Sequence, residues 1–182
     1  MINAAGCVFT NEKLILAGYQ PHKKKPILTG LGGKLNEGED PIHAAWRETL
    51  EELFDWETVS EYILDFCIEL LPIKTIEDKT YVQYVYSFEV LERVLQECYT
   101  RGCTSELYER FPFTLQELLF DRNPKGRVEV EQLAVLPMDG QCIAKHFIRD
   151  IQKIKGNSEQ CLLISSEDFG RMPNPTFSDE EE

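Results

Sequence analysis

Residues 33–52 read GKLNEGEDPIHAAWRETLEE, and no other stretch limits so strongly what the chain can become. Glu48, Glu51 and Glu52 fall at i, i+3 and i+4. At 3.6 residues per turn they share one helix face. Like charges at those spacings repel and weaken an isolated helix. A chain that stacks three carboxylates in this way has use for a cation. Hard oxygen donors in that number suit Mg²⁺ or Mn²⁺, and Mg²⁺ commonly arrives with substrate phosphates. The segment also predicts its own helix. Asp40 is suited to the N-cap and Pro41 to the first helical position. Ile42, Ala45, Trp46, Thr49, Leu50 and Leu53 then recur as a continuous, mostly apolar stripe. Stripe and carboxylates occupy different sectors, so one side of the helix can be buried while another presents charge. Gly30, Gly32 and Gly33, just upstream, let the backbone approach a ligand closely, and Lys34 follows at once.

On these residues the segment resembles the Nudix hydrolase family, whose box reads G-x5-E-x7-R-E-U-x-E-E-x-G-U, with U a bulky aliphatic. Gly33 is followed at the right spacings by Glu39, Arg47, Glu48, Glu51 and Glu52. Phe54 stands where the family has glycine, Asp55 where it has an aliphatic, and Thr49 is a milder departure. These put the helix exit in question and leave the glutamate face intact. The resemblance implies an α/β/α sandwich with a mixed β-sheet between helices. It also implies a Mg²⁺- or Mn²⁺-dependent pyrophosphohydrolase in which water attacks phosphorus. Carried over position by position, Glu48, Glu51 and Glu52 become metal ligands and catalytic residues. Arg47 and Glu39 orient the helix and its loop. Gly32, Gly33 and Lys34 shape the metal and phosphate side of the pocket. The family often has a further carboxylate before a late strand, and here Glu129 or Glu131 could bind metal or act as general base. Strict alternation in the sequence VEVE explains both residues equally well as an exposed strand side. The segment GLGGKLNEGE is most similar to MutT-like members acting on nucleoside triphosphates, some of them oxidised. Other substrates compatible with the box are an mRNA cap, a dinucleoside polyphosphate, a nucleotide sugar or a diphosphoinositol phosphate. A non-catalytic nucleotide-binding module is the third reading, although its usual mark, a lost metal glutamate, is missing.

A length of 182 residues suits one catalytic domain, and 42% hydrophobic content argues against global disorder. A net charge of −13 argues against a general nucleic-acid surface, with capped RNA the one nucleic-acid exception kept open, and leaves a small nucleotide as the expected partner. The one basic run, Lys23 to Lys25 beside His22, reads as a solvated loop or as an attractor of phosphates, with Lys24 the residue assigned to substrate. The six cysteines include no C-x-x-C pair, and Cys7 and Cys67 sit in apolar runs as reduced core residues. The N-terminus does not resemble a signal peptide and no apolar run has the length of a membrane span, so the expected location is the cytoplasm or nucleus.

The pattern along the chain predicts strands at 3–9 and 13–18, a loop at 19–29, the glycine-rich loop at 30–40 and the helix at 41–54. Residues 61–72 read as one or two strands, and residues 80–90, TYVQYVYSFEV, as another. Residues 91–126 form an expected helical insertion, with helix-like patterns over 90–100, 104–110 and 114–120. Its aromatics, Tyr99, Tyr108, Phe111 and Phe113, serve either as a local core or as a platform for a base. A strand is expected at 128–136 and an amphipathic helix at 141–154, completing a domain over 1–155. Residues 156–182 read as a flexible acidic tail.

Overall fold

The computed structural model describes residues 1–23 and 27–138. The described chain is α/β. Its strands are β1 (Ala4–Thr10), β2 (Leu14–Gln20), β3 (Ile27–Thr29), β4 (Leu31–Lys34), β5 (Lys74–Asp78), β6 (Tyr81–Ser87) and β7 (Gln132–Pro137). Its helices are α1 (Pro41–Phe54), α2 (Glu61–Ile68), α3 (Phe88–Thr100) and α4 (Leu115–Phe120). The strands form one mixed sheet in the order β3-β2-β1-β6-β5, with β4 added to β1 and β7 to β2. β1 and β6 run parallel, with Ala4 opposite Tyr81 and Thr10 opposite Ser87, and the other pairings are antiparallel.

β1 is the hub of this sheet, and its sequence explains why. A strand with neighbours on both edges and covered faces needs apolar residues at nearly every position. Residues 5–10 of β1 are all buried. Ala5, Cys7 and Phe9 join the large core that also takes in α1, α2, α3 and α4, whereas Val8 joins Ile15, Ala17, Leu28, Ile76, Val85 and Met138 on the opposite face. No described helix contributes to that second cluster. The predicted helix at 141–154 and the acidic tail lie outside the described residues. Among the described residues no helix is long and apolar enough to cross a membrane.

α1 lies on β1, β4 and β6. Asp40 caps it, its side chain accepting from the Ile42 N–H at 3.0 Å, and Pro41 opens it. The apolar stripe is inward: Ala45, Trp46, Leu50 and Leu53 are fully buried. Trp46 packs on Phe9 and Tyr86, and its indole N–H donates to the Tyr86 hydroxyl at 3.0 Å. The exit departs from a glycine cap in a definite way. Asp55 adopts the left-handed conformation, φ 53° and ψ 43°, which aspartate tolerates better than most residues. Phe54, freed from that duty, is buried with ring centroids 4.7 Å from both Trp56 and Phe111.

Several expected elements differ. Residues 61–68 are helical rather than extended, because the buried positions Ile63, Cys67 and Leu70 recur at i, i+4 and i+7 while Tyr62 stays out. β6 stops at Ser87, whose hydroxyl caps α3 by accepting from the Val90 N–H, so Phe88 and the residues after it leave the strand. Residues 104–110 are turns. There the Ser105 hydroxyl accepts from the Leu107 N–H and donates to the Phe54 carbonyl, pinning the loop to the end of α1. α4 begins with a full capping box, Thr114 and Glu117 each bonding the other's backbone. Residues 27–29 and 31–34, expected as loop, are strands. β7 begins only at Gln132, since the carbonyls of Val130 and Glu131 accept from Arg122.

Candidate active site

The site forms where the carboxylate face of α1 meets β4. Gly6 on β1 stands opposite Gly32 on β4. A Cβ on Gly32 would strike the Ala5 carbonyl and the Gly6 Cα, and its φ of +144° excludes ordinary side chains as well. The tight glycine strand brings its backbone onto α1. There the Gly32 N–H donates to Glu52 Oε2 at 2.8 Å. A Cβ on Gly33 would land in the Glu48 carboxylate. Lys34 is exposed, and its carbonyl accepts from Arg47 at 2.9 Å.

Glu52 is only 8% exposed. Its Oε1 accepts from the Gln20 side-chain amide at 3.1 Å. Burial pushes its carboxyl up to about 8; the Gly32 N–H opposes this and the charges of Glu129 and Glu48 add to it. Burial also raises Glu51, against the pull of Arg47. Arg47 gathers the other carboxylates. Its Nε and Nη2 form a fork on Glu39 at 2.7 and 2.9 Å, and its Nη1 donates to Glu48 at 2.9 Å and to Glu51 at 3.1 Å. The paired guanidinium holds Glu39 below the usual carboxylate range and is itself held further into its charged form. Glu39 also accepts from the Asn36 N–H at 2.8 Å, so the Arg47–Glu39 pair ties the loop, the helix and, through the Lys34 carbonyl, β4 together.

The segment before β7 closes the site from the β2 side. Val128 and Val130 are buried, whereas Glu129 is exposed and Glu131 half-buried, so the alternation in VEVE holds without a strand there. Gln20 reaches both Glu52 and Glu129, the latter at 3.5 Å. Lys23 pairs with Glu129 at 2.8 Å, and His22 Nε2 lies 3.7 Å from Glu131. Of the two candidate carboxylates, Glu129 is therefore the one linked to Glu52. Lys24 lies outside the described residues.

Two residues of this site carried no signal in the sequence. Gln20 ends an apolar strand, and its role depends wholly on what the fold puts opposite it. Arg122 spends its guanidinium on the carbonyls of Glu52, Leu53, Val130 and Glu131 and on the Tyr108 hydroxyl. It thereby holds the end of α1 to the segment bearing Glu129. A long-range tie of this kind has no sequence spacing to betray it.

Among the described residues, no three histidines, cysteines or acidic residues stand so as to enclose a metal ion. Glu48 and Glu51 are turned onto Arg47, and Glu52 onto Gly32 and Gln20. The donor chemistry still fits a hard divalent cation: three carboxylates on adjacent turns, with the Glu48 charge disfavouring ionisation of both Glu51 and Glu52. Such a set is relieved by a positive charge placed among its members.

No family model matches the chain, and no curated protein matches it. Solved structures do. The chain is similar to a nudix hydrolase family member from Chromobacterium violaceum, at 13% identity and TM-score 0.42, over 94% of this chain and 87% of that one. It is similar to a hydrolase of the NUDIX family from Clostridium perfringens, at 16% identity and TM-score 0.38, over 84% and 95%. A NUDIX hydrolase from Nitrosomonas europaea aligns at 15% identity and TM-score 0.32, over 84% and 79%.

Proposed function

We propose that this chain is a magnesium-dependent hydrolase of phosphoric anhydride bonds in small nucleotides, nucleoside triphosphates first among them. The observation that carries the reading is the buried Glu52 carboxylate, fixed between the Gly32 N–H and Gln20 on the same helix face as Glu48 and Glu51. A carboxylate kept this dry at the end of a helix is costly unless something charged is meant to join it. In this reading Glu48, Glu51 and Glu52 hold the ion beside the Gly33 backbone. When bound, Mg²⁺ or Mn²⁺ supplies Lewis-acid charge to phosphate oxygens and eases deprotonation of water.

The chain's own residues do the rest. The Gly32 N–H fixes the direction of Glu52. Arg47 and Glu39 clamp the loop against α1, so that β4 keeps its distance from the carboxylates. Gly32 and Gly33 let β4 close onto β1 and onto the Glu48 carboxylate, and the exposed Lys34 at the end of the strand offers a cation to a phosphate. Glu129, hydrogen-bonded to Gln20, accepts the proton of the attacking water, with Glu131 behind it on His22.

The test is a substrate panel with and without Mg²⁺, run with Glu52→Gln as control and with products analysed after reaction in ¹⁸O-labelled water. The panel holds normal and oxidised nucleoside triphosphates, dinucleoside polyphosphates, nucleotide sugars, diphosphoinositol phosphates and capped RNA. Metal-dependent turnover that falls by orders of magnitude in Glu52→Gln supports the reading. Binding without turnover in folded, metal-loaded protein points to a nucleotide-binding module.

A further inference from the structure

Beside the carboxylates of α1 lies a cavity of about 350 Å³ lined by His22, Lys23, Arg127, Val128 and Glu129. Small-molecule sites commonly span about 300–1,000 Å³. We propose that this cavity is an anion subsite receiving the terminal phosphate of the substrate's polyphosphate chain, and that the substrate class is therefore one with a free phosphate end. The proposal rests on the hydrolase reading and narrows it.

Charge is the first argument. The chain carries 32 acidic residues against 19 Lys and Arg. Yet among the described residues this cavity is lined by two cations and an imidazole against one carboxylate, with Glu131 a second carboxylate 3.7 Å from His22. In an acidic protein such a local concentration of cations is where a phosphate settles.

Arg127 supplies the second argument. It is exposed and forms no ion pair or hydrogen bond with another described residue. Its backbone is nonetheless anchored, because Val128 and Val130 just after it are buried and Arg122 holds the Val130 carbonyl. A planar guanidinium with unspent donors at an anchored position suits bidentate phosphate recognition.

Lys23 is held differently. It lies 2.8 Å from Glu129, but the two side chains are 51% and 55% exposed. An ion pair so wet contributes little and yields readily to a doubly charged ligand. When Lys23 turns to the phosphate, Glu129 is released to act on water.

The cavity is also joined to the reaction site. Glu129 is linked to Glu52 through the single side chain of Gln20, at 3.5 and 3.1 Å. Both bonds leave the same Gln20 Nε2, so Glu129 lies within two hydrogen-bond lengths of Glu52, a span that a polyphosphate chain covers. Among the described residues no aromatic lines the wall, which disfavours a nucleobase as occupant.

The experiment uses the full chain and isothermal titration with tripolyphosphate in magnesium chloride. Compared are wild type, Arg127→Ala, Lys23→Ala and Arg110→Ala. Arg110, which bonds Tyr99 away from the cavity, is the charge-matched control. The expected result is affinity reduced about tenfold or more in Arg127→Ala, as for a lost hydrogen bond to a charged group, and unchanged in Arg110→Ala. Equal affinity in Arg127→Ala and wild type overturns the subsite, as does an equal loss in Arg110→Ala. Binding of an unphosphorylated nucleoside in place of tripolyphosphate overturns it in favour of a base pocket. Turnover separates the two claims. Hydrolysis abolished by Glu52→Gln, with an unchanged KM in Arg127→Ala, refutes the subsite and leaves the hydrolase. Tripolyphosphate binding that depends on Arg127, with no phosphoanhydride cleaved, keeps the subsite and refutes the hydrolase.

Discussion

Glu52→Gln is expected to stabilise the metal-free protein at pH 8 while abolishing its activity. Burial raises the Glu52 carboxyl from 4.5 to about 8. A carboxyl with a folded value above its unfolded one binds its proton more tightly in the folded chain. Its contribution to stability is thus full below about pH 4.5 and is lost as the pH rises through the folded value. The slope is about 1.4 kcal/mol per pH unit midway between the two values and flattens towards each, so between pH 5 and pH 8 Glu52 alone removes about 3 kcal/mol. Glutamine has nearly the same shape, can still accept from the Gly32 N–H, and does not titrate. Urea unfolding of both proteins in EDTA at pH 5, 6, 7 and 8 measures the difference. The two stabilities should be similar at pH 5 and diverge in favour of the variant by about 3 kcal/mol at pH 8. Groups that do not interact with Glu52 contribute equally in both proteins and cancel. Added Mg²⁺ should then stabilise wild type at pH 8 by mass action and the variant much less. Parallel stability curves across this range would refute the claim that burial strains Glu52, and with it the argument that the residue is held ready for a cation.

Four other perturbations separate the parts of the site. Gly33→Ala drives a methyl group into the Glu48 carboxylate; Mg²⁺ affinity and kcat should fall at least about tenfold while far-UV circular dichroism stays native. Arg47→Ala leaves the partly buried Glu39 without its fork and should cost about 3 kcal/mol in urea unfolding, with Arg47→Lys recovering little of it because an ammonium cannot span both oxygens. Because the pair holds Glu39 below its usual range, its stabilisation is present above about pH 4.5 and lost as the pH falls through the lowered value, so Glu39→Gln should flatten the acid limb of stability. Arg122→Ala frees the carbonyls of Glu52, Leu53, Val130 and Glu131 and should destabilise by about 3 kcal/mol, with kcat falling more than KM changes if the tie aligns α1 with Glu129.

What the sequence made legible was local. α1 could be read with its cap, its stripe and its carboxylate face because each depends only on spacing along one helix. Gly32 and Gly33 were legible as a permissive backbone but not as strand β4, since three hydrophilic or glycine positions carry no period-two signal and pairing with β1 supplies the reason for their extension. Residues 61–68 misled for the opposite cause. The sequence YILDFCI is rich in residues that favour strands, and only the pairing of Ile63 and Cys67 with the core under α1 and α3 decides for helix.

The same distinction explains why Gln20 and Arg122 went unseen. Each works by joining segments far apart in sequence: Gln20 spans β2, α1 and the segment before β7, and Arg122 spans the region after α4, the end of α1 and that same segment. A motif states which groups are needed. It does not state what keeps them at working distance when the helix exit differs from the motif's own. Here Phe54 replaces the glycine that would end α1, and the released constraint reappears as Asp55 in the left-handed region, the Ser105 clamp on the Phe54 carbonyl and the Arg122 tie. If that account is right, the exit is a compensated unit. Phe54→Gly alone should lose the packing of Trp56 and Phe111 and destabilise by about 3 kcal/mol despite restoring the glycine of the motif that the segment resembles. A neutral or stabilising effect in urea unfolding would mean that the exit tolerates either solution and that the ties around it have another origin.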